Sequence, residues 1–195
     1  MDSLAPLTIC GYLWIAWYVV WIAWAFQSKK TRQRESISSR LSYTFILGVA
    51  VWLLFFGQRL GGWWHRHIFP ATAATGWAAV AIAALGFALT LWARFILGSN
   101  WSGNVTIKVG HELIRTGPYR FVRHPIYTGI IVAAAGTTLA LDQTRGFVAL
   151  VLLWLGLTVK RLKEEQFMRQ TFGVQYLDYS RTTGAIFPAL LRRNS

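Results

Sequence analysis

The chain has 195 residues, of which 54% are apolar, 15% aromatic and only 14% charged. Soluble domains carry roughly 25% charged residues, so this surface is not solvated all round, and the apolar content excludes a disordered chain. Twenty Lys and Arg against 7 Asp and Glu leave a net charge of +13, but a mean hydropathy of +0.39 and 11 Trp direct that basicity toward lipid rather than nucleic acid.

The length fits one domain. The single Cys10 excludes a disulfide framework, a cysteine-based zinc site and an iron–sulfur cluster.

Apolar stretches of ~20 residues, enough to cross ~30 Å of hydrocarbon, set the layout. The first, 4–26, carries no charge. Met1-Asp2-Ser3 lacks a basic lead and no small-residue cleavage pattern follows, so the stretch reads as a retained helix and not a signal peptide. The second is 41–56, and the third is 71–97, interrupted near its end by Arg94. The fourth, 126–141, and fifth, 147–159, are separated only by Asp142-Gln143-Thr144-Arg145-Gly146. They read as a helical hairpin whose second arm runs on into water through Lys160-Arg161-Leu162-Lys163-Glu164-Glu165. The expected fold class is all-α: a polytopic membrane protein with about five transmembrane helices, a cytoplasmic loop and a C-terminal helix. N-terminal transmembrane helices occupy 1–97, and 98–195 forms the functional core of one integrated membrane domain.

Orientation follows from the basic residues. Lys29, Lys30, Arg32, Arg34 and Arg40 lie in 27–40, and further Lys and Arg crowd 98–125 and 160–195. The opposite side has only Arg59, Arg66 and Arg145. Five crossings then put the N-terminus outside and the C-terminus in the cytoplasm. Trp63, Trp64, His65 and His67 suit an interfacial belt on the outer side better than a metal site.

The longest polar stretch, 98–125, faces the same side as the tail and reads as a compact cap over the helix ends. Val105, Ile107 and Val109 alternate with polar residues, as in a short extended piece, and Gly103, Gly110, Gly117 and Pro118 mark turns. Arg123-His124-Pro125-Ile126-Tyr127-Thr128-Gly129 follows at the water–membrane boundary. Pro125 suits a helix start, which puts His124 and Tyr127 at a positively polarised helix end suited to anions. The bland alternative is an interfacial anchor. Further on, Lys160 faces Glu164 and Arg161 faces Glu165 at helical spacing. These are either ordinary surface pairs or, given only 7 acids in the chain, part of a site.

Asn100-Trp101-Ser102, His111-Glu112-Leu113-Ile114, Gly117-Pro118-Tyr119-Arg120, the Arg123 to Gly129 run, Glu164-Glu165, and Phe172-Gly173 with Tyr176 and Tyr179 occur in that order. Together they resemble the isoprenylcysteine carboxyl methyltransferase family and its phospholipid methyltransferase relatives. The resemblance covers about 95–188. It implies methyl transfer from S-adenosylmethionine to a carboxylate or amine on a small lipidic or lipid-modified acceptor. It also implies cofactor contacts from Asn104, His111, Glu112, Leu113, Ile114, Tyr119, His124, Pro125, Ile126, Tyr127 and Glu164, with Glu165 beside them, and no metal.

The family's acceptor-binding arginine lies four residues before the first Glu of the pair. Here that position is Lys160, with Arg161 next to it. Either lysine substitutes or Arg161 takes over, and lysine lacks the bidentate grip of a guanidinium.

The residue types fit the implied ligand. Glu164 can accept from ribose hydroxyls or an ammonium, His124 suits a carboxylate, and Tyr119 or Tyr127 can pack on adenine or a sulfonium. No G-x-G turn of a nucleotide-binding sheet occurs in the chain. The implied setting is a multi-pass protein of a bacterial inner membrane, with the bilayer itself as partner and no nucleic acid. Two other readings compete: a sterol-reductase-like membrane oxidoreductase using NADPH, and a non-enzymatic membrane scaffold.

Overall fold

The computed structural model describes residues 5–26, 31–69, 72–101, 106–108 and 112–189. In order they form α1 (Ala5–Ala25), β1 (Thr31–Arg34), α2 (Ile37–Phe55), α3 (Ala73–Leu97), β2 (Thr106–Lys108), α4 (Pro125–Leu141), α5 (Thr144–Phe172) and α6 (Val174–Thr182). The five expected apolar stretches each become a helix, because in hydrocarbon only a helix pairs every backbone group within its own segment. Three are long and apolar enough to cross a membrane: Ala5–Ala25, Ile37–Phe55 and Ala73–Asn100. Pro125–Leu141 is a shorter apolar helix. The protein is a multi-pass membrane protein.

The all-helical reading needs one addition. β1 and β2 pair antiparallel, Thr31 opposite Lys108 and Arg34 opposite Thr106. The extended piece expected from the alternation at 105–109 is thus present as β2, and its partner comes from the basic segment after α1.

The helix ends are closed by local chemistry. Ser36 caps α2 by accepting from the Ser39 N–H at 3.2 Å, and Thr72 and Thr75 form a reciprocal capping box on α3. Asp142 ends α4 in the left-handed region (φ 47°), which aspartate tolerates better than most residues. Its carboxylate accepts from the N–H groups of Ile68 (3.2 Å) and Phe69 (2.9 Å) and meets His67 Nδ1 at 3.1 Å. So α4 and α5 form the expected hairpin, and its turn is tied to the loop before α3.

Two arginines that look costly in a membrane chain also close helix ends. Arg94, 2% exposed, donates to Gly98 O (2.6 Å) and Trp24 O (2.7 Å), with its guanidinium 4.7 Å from the Trp101 ring centre. Arg145 donates to Leu53 O (3.0 Å) and Leu54 O (3.5 Å), carbonyls that the last turn of α2 leaves free.

The tightest packing joins α3 and α4. Ala79, Ala83 and Gly86 face Gly129, Ala133 and Gly136. A Cβ at Gly86 would stand 2.4 Å from Ala133 N, and one at Gly136 would stand 2.5 Å from Ala79 O. Small residues let two backbones approach where lipid supplies no hydrophobic drive between helices. α1 leans on this pair, the Trp14 and Trp17 indoles donating to Thr137 (2.9 Å) and Thr90 (2.7 Å). α2 packs instead on α5.

Candidate active site

The polar residues singled out in the sequence meet where α4 begins and α5 leaves the apolar layer. His124 is the N-cap of α4 and Pro125 its first residue. The segment before it is fixed by the chain beyond α6. Arg123 N–H donates to Gly184 O (2.8 Å) and His124 N–H to Ala185 O (3.0 Å), beside a parallel bridge between Val122 and Gly184. Thr128 adds a bond to Ile186 O at 2.6 Å. Gly173, at φ +52°, ends α5 and lets α6 double back. α6 then places Tyr179, whose hydroxyl donates to Tyr119 O at 2.6 Å. The Phe-Gly and paired tyrosines therefore have a physical purpose: they brace the His124 turn from behind.

The two adjacent glutamates face different surroundings. Glu165, 3% exposed, draws Arg123 Nη2 (3.0 Å) and Nε (3.2 Å), His124 Nε2 (3.2 Å) and Arg161 Nη1 (3.3 Å) onto one oxygen. Burial alone would raise its pKa. His124 and Arg123 override that and hold it down to about 2. Glu164 accepts from the Tyr127 hydroxyl at 2.5 Å and lies 3.5 Å from His124 Nδ1. Burial raises its pKa, and His124, Lys160 and Tyr127 together bring it below the usual carboxylate range.

His124 thus sits between two carboxylates. A neutral imidazole has a single N–H, so only the imidazolium donates to both. Burial opposes that charge, but Glu164 and Glu165 outweigh it and the pKa rises. The His124 ring also stacks on Tyr127, centroids 5.4 Å apart and planes 10° apart.

These groups form one end of a cavity of about 430 Å³. Glu112, Leu113, Ile114, Tyr119, Arg123, His124, Tyr127, Lys160 and Glu164 line that end. The Lys160 ammonium stands 5.5 Å from the Tyr127 ring centre and 5.8 Å from that of Tyr43. The other end runs between the helices along Trp14, Trp17 and Trp21 of α1, Leu47, Val51, Leu54 and Phe55 of α2, and Leu153 of α5. Pro125 and Ile126 also line the cavity. Among the described site candidates, Arg161 and Glu165 are outside the lining. Asn104 and His111 lie outside the described residues.

Residues 79–170 match the model of the isoprenylcysteine carboxyl methyltransferase (ICMT) family. That stretch, a little under half of the chain, is similar to the ICMT family. Protein-S-isoprenylcysteine O-methyltransferase A of Arabidopsis thaliana is 37% identical over 79 residues, 40% of each chain. Protein-S-isoprenylcysteine O-methyltransferase B of the same plant is 25% identical over 169 residues, 84% of this chain and 81% of its own. The solved eukaryotic intramembrane Ras methyltransferase ICMT shares the fold, with a TM-score of 0.55 at 23% identity over 77% of this chain and 50% of that one. The chain spans about 40% of the first curated relatives it matches and half of that solved chain.

The ICMT match begins at 79, in α3, and ends at 170, near the end of α5. It contains every polar residue at the cavity's charged end named above. It leaves out the tryptophans of α1 and the apolar wall of α2, which the sequence marks only as membrane helices. A tryptophan lining a cavity and one facing lipid carry the same local signal. Arg123 was legible as part of a motif, but its grip on Glu165 and on the carbonyls of Ser180 and Thr183 was not.

Proposed function

We propose that this chain is an integral membrane S-adenosylmethionine-dependent methyltransferase. It transfers a methyl group to the carboxylate of a lipidic, isoprenylcysteine-like acceptor. The observation that carries this reading is a cavity with a charged, tyrosine-lined end and an apolar end between the helices. The donor set fits the cofactor. Glu164 matches ribose hydroxyls or an ammonium, His124 holds it in place from between the two glutamates, and Tyr119 and Tyr127 offer ring faces to an adenine or a sulfonium. Glu112, Leu113, Ile114, Pro125 and Ile126 supply the remaining walls, and Asn104 and His111 complete the set by resemblance. When bound, S-adenosylmethionine supplies the methyl group on a sulfonium.

The chain's own residues do the positioning. Lys160 lines the cavity and holds the acceptor carboxylate. Arg161 is turned to Glu165 and steadies the turn bearing His124. An acceptor carboxyl group is already ionised at neutral pH, so no side chain need act as general base. Rate then comes from alignment of the acceptor with the methyl donor. Glu165 acts through His124 and Arg123.

The same reading has five crossings in a bacterial inner membrane, the N-terminus outside, and the basic segments and C-terminus in the cytoplasm. Residues 98–195 carry the cofactor, while 1–97 supply the walls for the acceptor's tail. The test is incubation of the purified protein with radiolabelled S-adenosylmethionine and an N-acetyl-S-farnesylcysteine acceptor. Base-labile label on the acceptor is expected. Stabilisation by NADPH but not by S-adenosylhomocysteine would overturn the reading in favour of a reductase.

A further inference from the structure

Lys160 reaches the cavity on a long, flexible stem. A guanidinium meets a carboxylate with a rigid planar fork, whereas an ammonium is a point charge on four rotatable carbons. Left to itself it would spread over many rotamers, and Glu164, one turn on along α5, feels the same charge. Holding it where an acceptor carboxylate arrives takes something outside α5.

Two rings from two other helices meet that need. The Lys160 ammonium lies over Tyr127 of α4, 5.5 Å from its ring centre, and over Tyr43 of α2, 5.8 Å from its ring centre. The electron-rich face of a ring attracts a cation, most strongly away from water, and Tyr43 is 3% exposed.

Tyr43 is itself fixed. Its hydroxyl donates to Glu35, which also accepts from the Ser39 hydroxyl at 3.1 Å. Donation to a carboxylate leaves the phenol ring richer in electrons, since linked hydrogen bonds polarise one another. Lys163 lies over the same ring, 5.5 Å from its centre, and its ammonium donates to Ser39 O and to the Ser42 hydroxyl at 2.6 Å. That second lysine pins the start of α2 to α5 and keeps the ring beside Lys160. Tyr43 is not among the residues that line the cavity, and it precedes the stretch that matches the ICMT family. It can act on a ligand only through Lys160.

We propose that Tyr43 is a positioning residue for the acceptor: with Tyr127 it clamps the Lys160 ammonium where the acceptor carboxylate is met. The proposal rests on the acceptor reading above. A loose Lys160 would have to be ordered as the acceptor binds. A clamped one is ordered beforehand, which tightens binding.

The test uses the full chain in detergent and two readouts. The first is the KM of N-acetyl-S-farnesylcysteine, beside affinity for S-adenosylhomocysteine by calorimetry. Tyr43→Leu should raise that KM about tenfold, the loss of one partly desolvated ring contact, and keep cofactor affinity within about twofold. Tyr43→Phe, which keeps the ring, should recover most of the loss. With Lys160→Arg, whose fork is preorganised, the same Tyr43→Leu change should raise KM by no more than about threefold. An equal loss in both backgrounds would mark Tyr43 as merely structural and overturn the proposal.

The second readout needs neither ligand. Reductive methylation of lysines by formaldehyde and cyanoborohydride, followed by mass spectrometry, should label Lys160 about fivefold faster in Tyr43→Leu than in the parent. Glu35→Gln keeps the ring but weakens its tether, and should speed labelling about twofold; it decides the matter if Tyr43→Leu does not fold. Unchanged labelling of Lys160 in the folded variants overturns the clamp. Faster labelling in a chain that shows no methyl transfer keeps the clamp and removes the acceptor reading. Methyl transfer with a KM that Tyr43→Leu leaves unchanged does the reverse.

Discussion

The Tyr127 hydroxyl donates to Glu164 Oε1 at 2.5 Å across the gap between α4 and α5. This bond orients one carboxylate oxygen of Glu164, while Oε2 is 3.5 Å from His124 Nδ1. His124, Lys160 and Tyr127 thus keep Glu164 ionised in a half-buried position, ready to accept from a ligand hydroxyl or ammonium.

Glu164→Gln keeps the shape and removes the charge. Since a hydrogen bond to a charged group contributes about 1.5–3 kcal/mol, affinity for S-adenosylhomocysteine should fall roughly 10- to 100-fold by calorimetry. Tyr127→Phe keeps the ring stacked on His124 and should weaken binding less, about tenfold. Unchanged affinity in both variants would take Glu164 out of the site.

Lys160 and Arg161 are adjacent in sequence but occupied differently. Lys160 lines the cavity, and Arg161 pairs with Glu165 at 3.3 Å. Lys160→Ala should lower turnover by about 100-fold or more with cofactor affinity kept, as expected for loss of a group that aligns the acceptor. Lys160→Arg should restore part of it, because a guanidinium also grips a carboxylate. Arg161→Ala should leave turnover within about threefold and lower the melting temperature slightly, one contact among several on Glu165 being lost. The reverse pattern would move the acceptor role to Arg161.

The His124–Glu165 contact sets a pH window for stability. His124 is raised above its ordinary value, so its contribution is complete below the unfolded value of ~6.5 and is lost as pH rises through the folded one. Glu165 is held down to about 2, so its contribution is complete above ~4.3 and is lost as pH falls from there toward about 2. The melting temperature should therefore be highest between about pH 4.5 and 6.5. His124→Asn should flatten the alkaline limb. An alkaline decline as steep in the variant as in the parent would assign it to another group.

Three apolar helices long enough to cross a membrane, and the hairpin, were legible in the sequence because hydrocarbon thickness dictates apolar length directly. So was the pairing of the His124 turn with Glu164-Glu165, through the order of the motifs. Arg94 reads as a charge inside a span, but the structure puts it in the last turn of α3, where it closes the ends of both α3 and α1. The return of the chain to Arg123 and His124 through Gly184 and Ala185 was not legible, since backbone pairing over such a separation leaves no periodic trace. Nor was the pairing of β1 with β2, or the use of α1 tryptophans as a cavity wall.

Gly86 and Gly48 offer a test of the α3–α4 seam, because both are helical glycines in apolar helices with opposite surroundings. A Cβ at Gly86 would lie 2.4 Å from Ala133 N and 2.6 Å from Gly129 O, both backbone atoms that have no room to yield. At Gly48 a Cβ meets nothing within 4 Å. Gly→Ala in a helix otherwise stabilises by roughly 0.5–1 kcal/mol, while overpacking costs about 1–3 kcal/mol. Gly86→Ala should therefore lower the melting temperature in detergent, and Gly48→Ala should leave it unchanged or raise it. Because α4 also carries His124 and Tyr127 at its start, Gly86→Ala should weaken S-adenosylhomocysteine binding as well, and Gly48→Ala should not. Equal effects at the two positions would mean that α3 and α4 are not in the close contact their small residues allow.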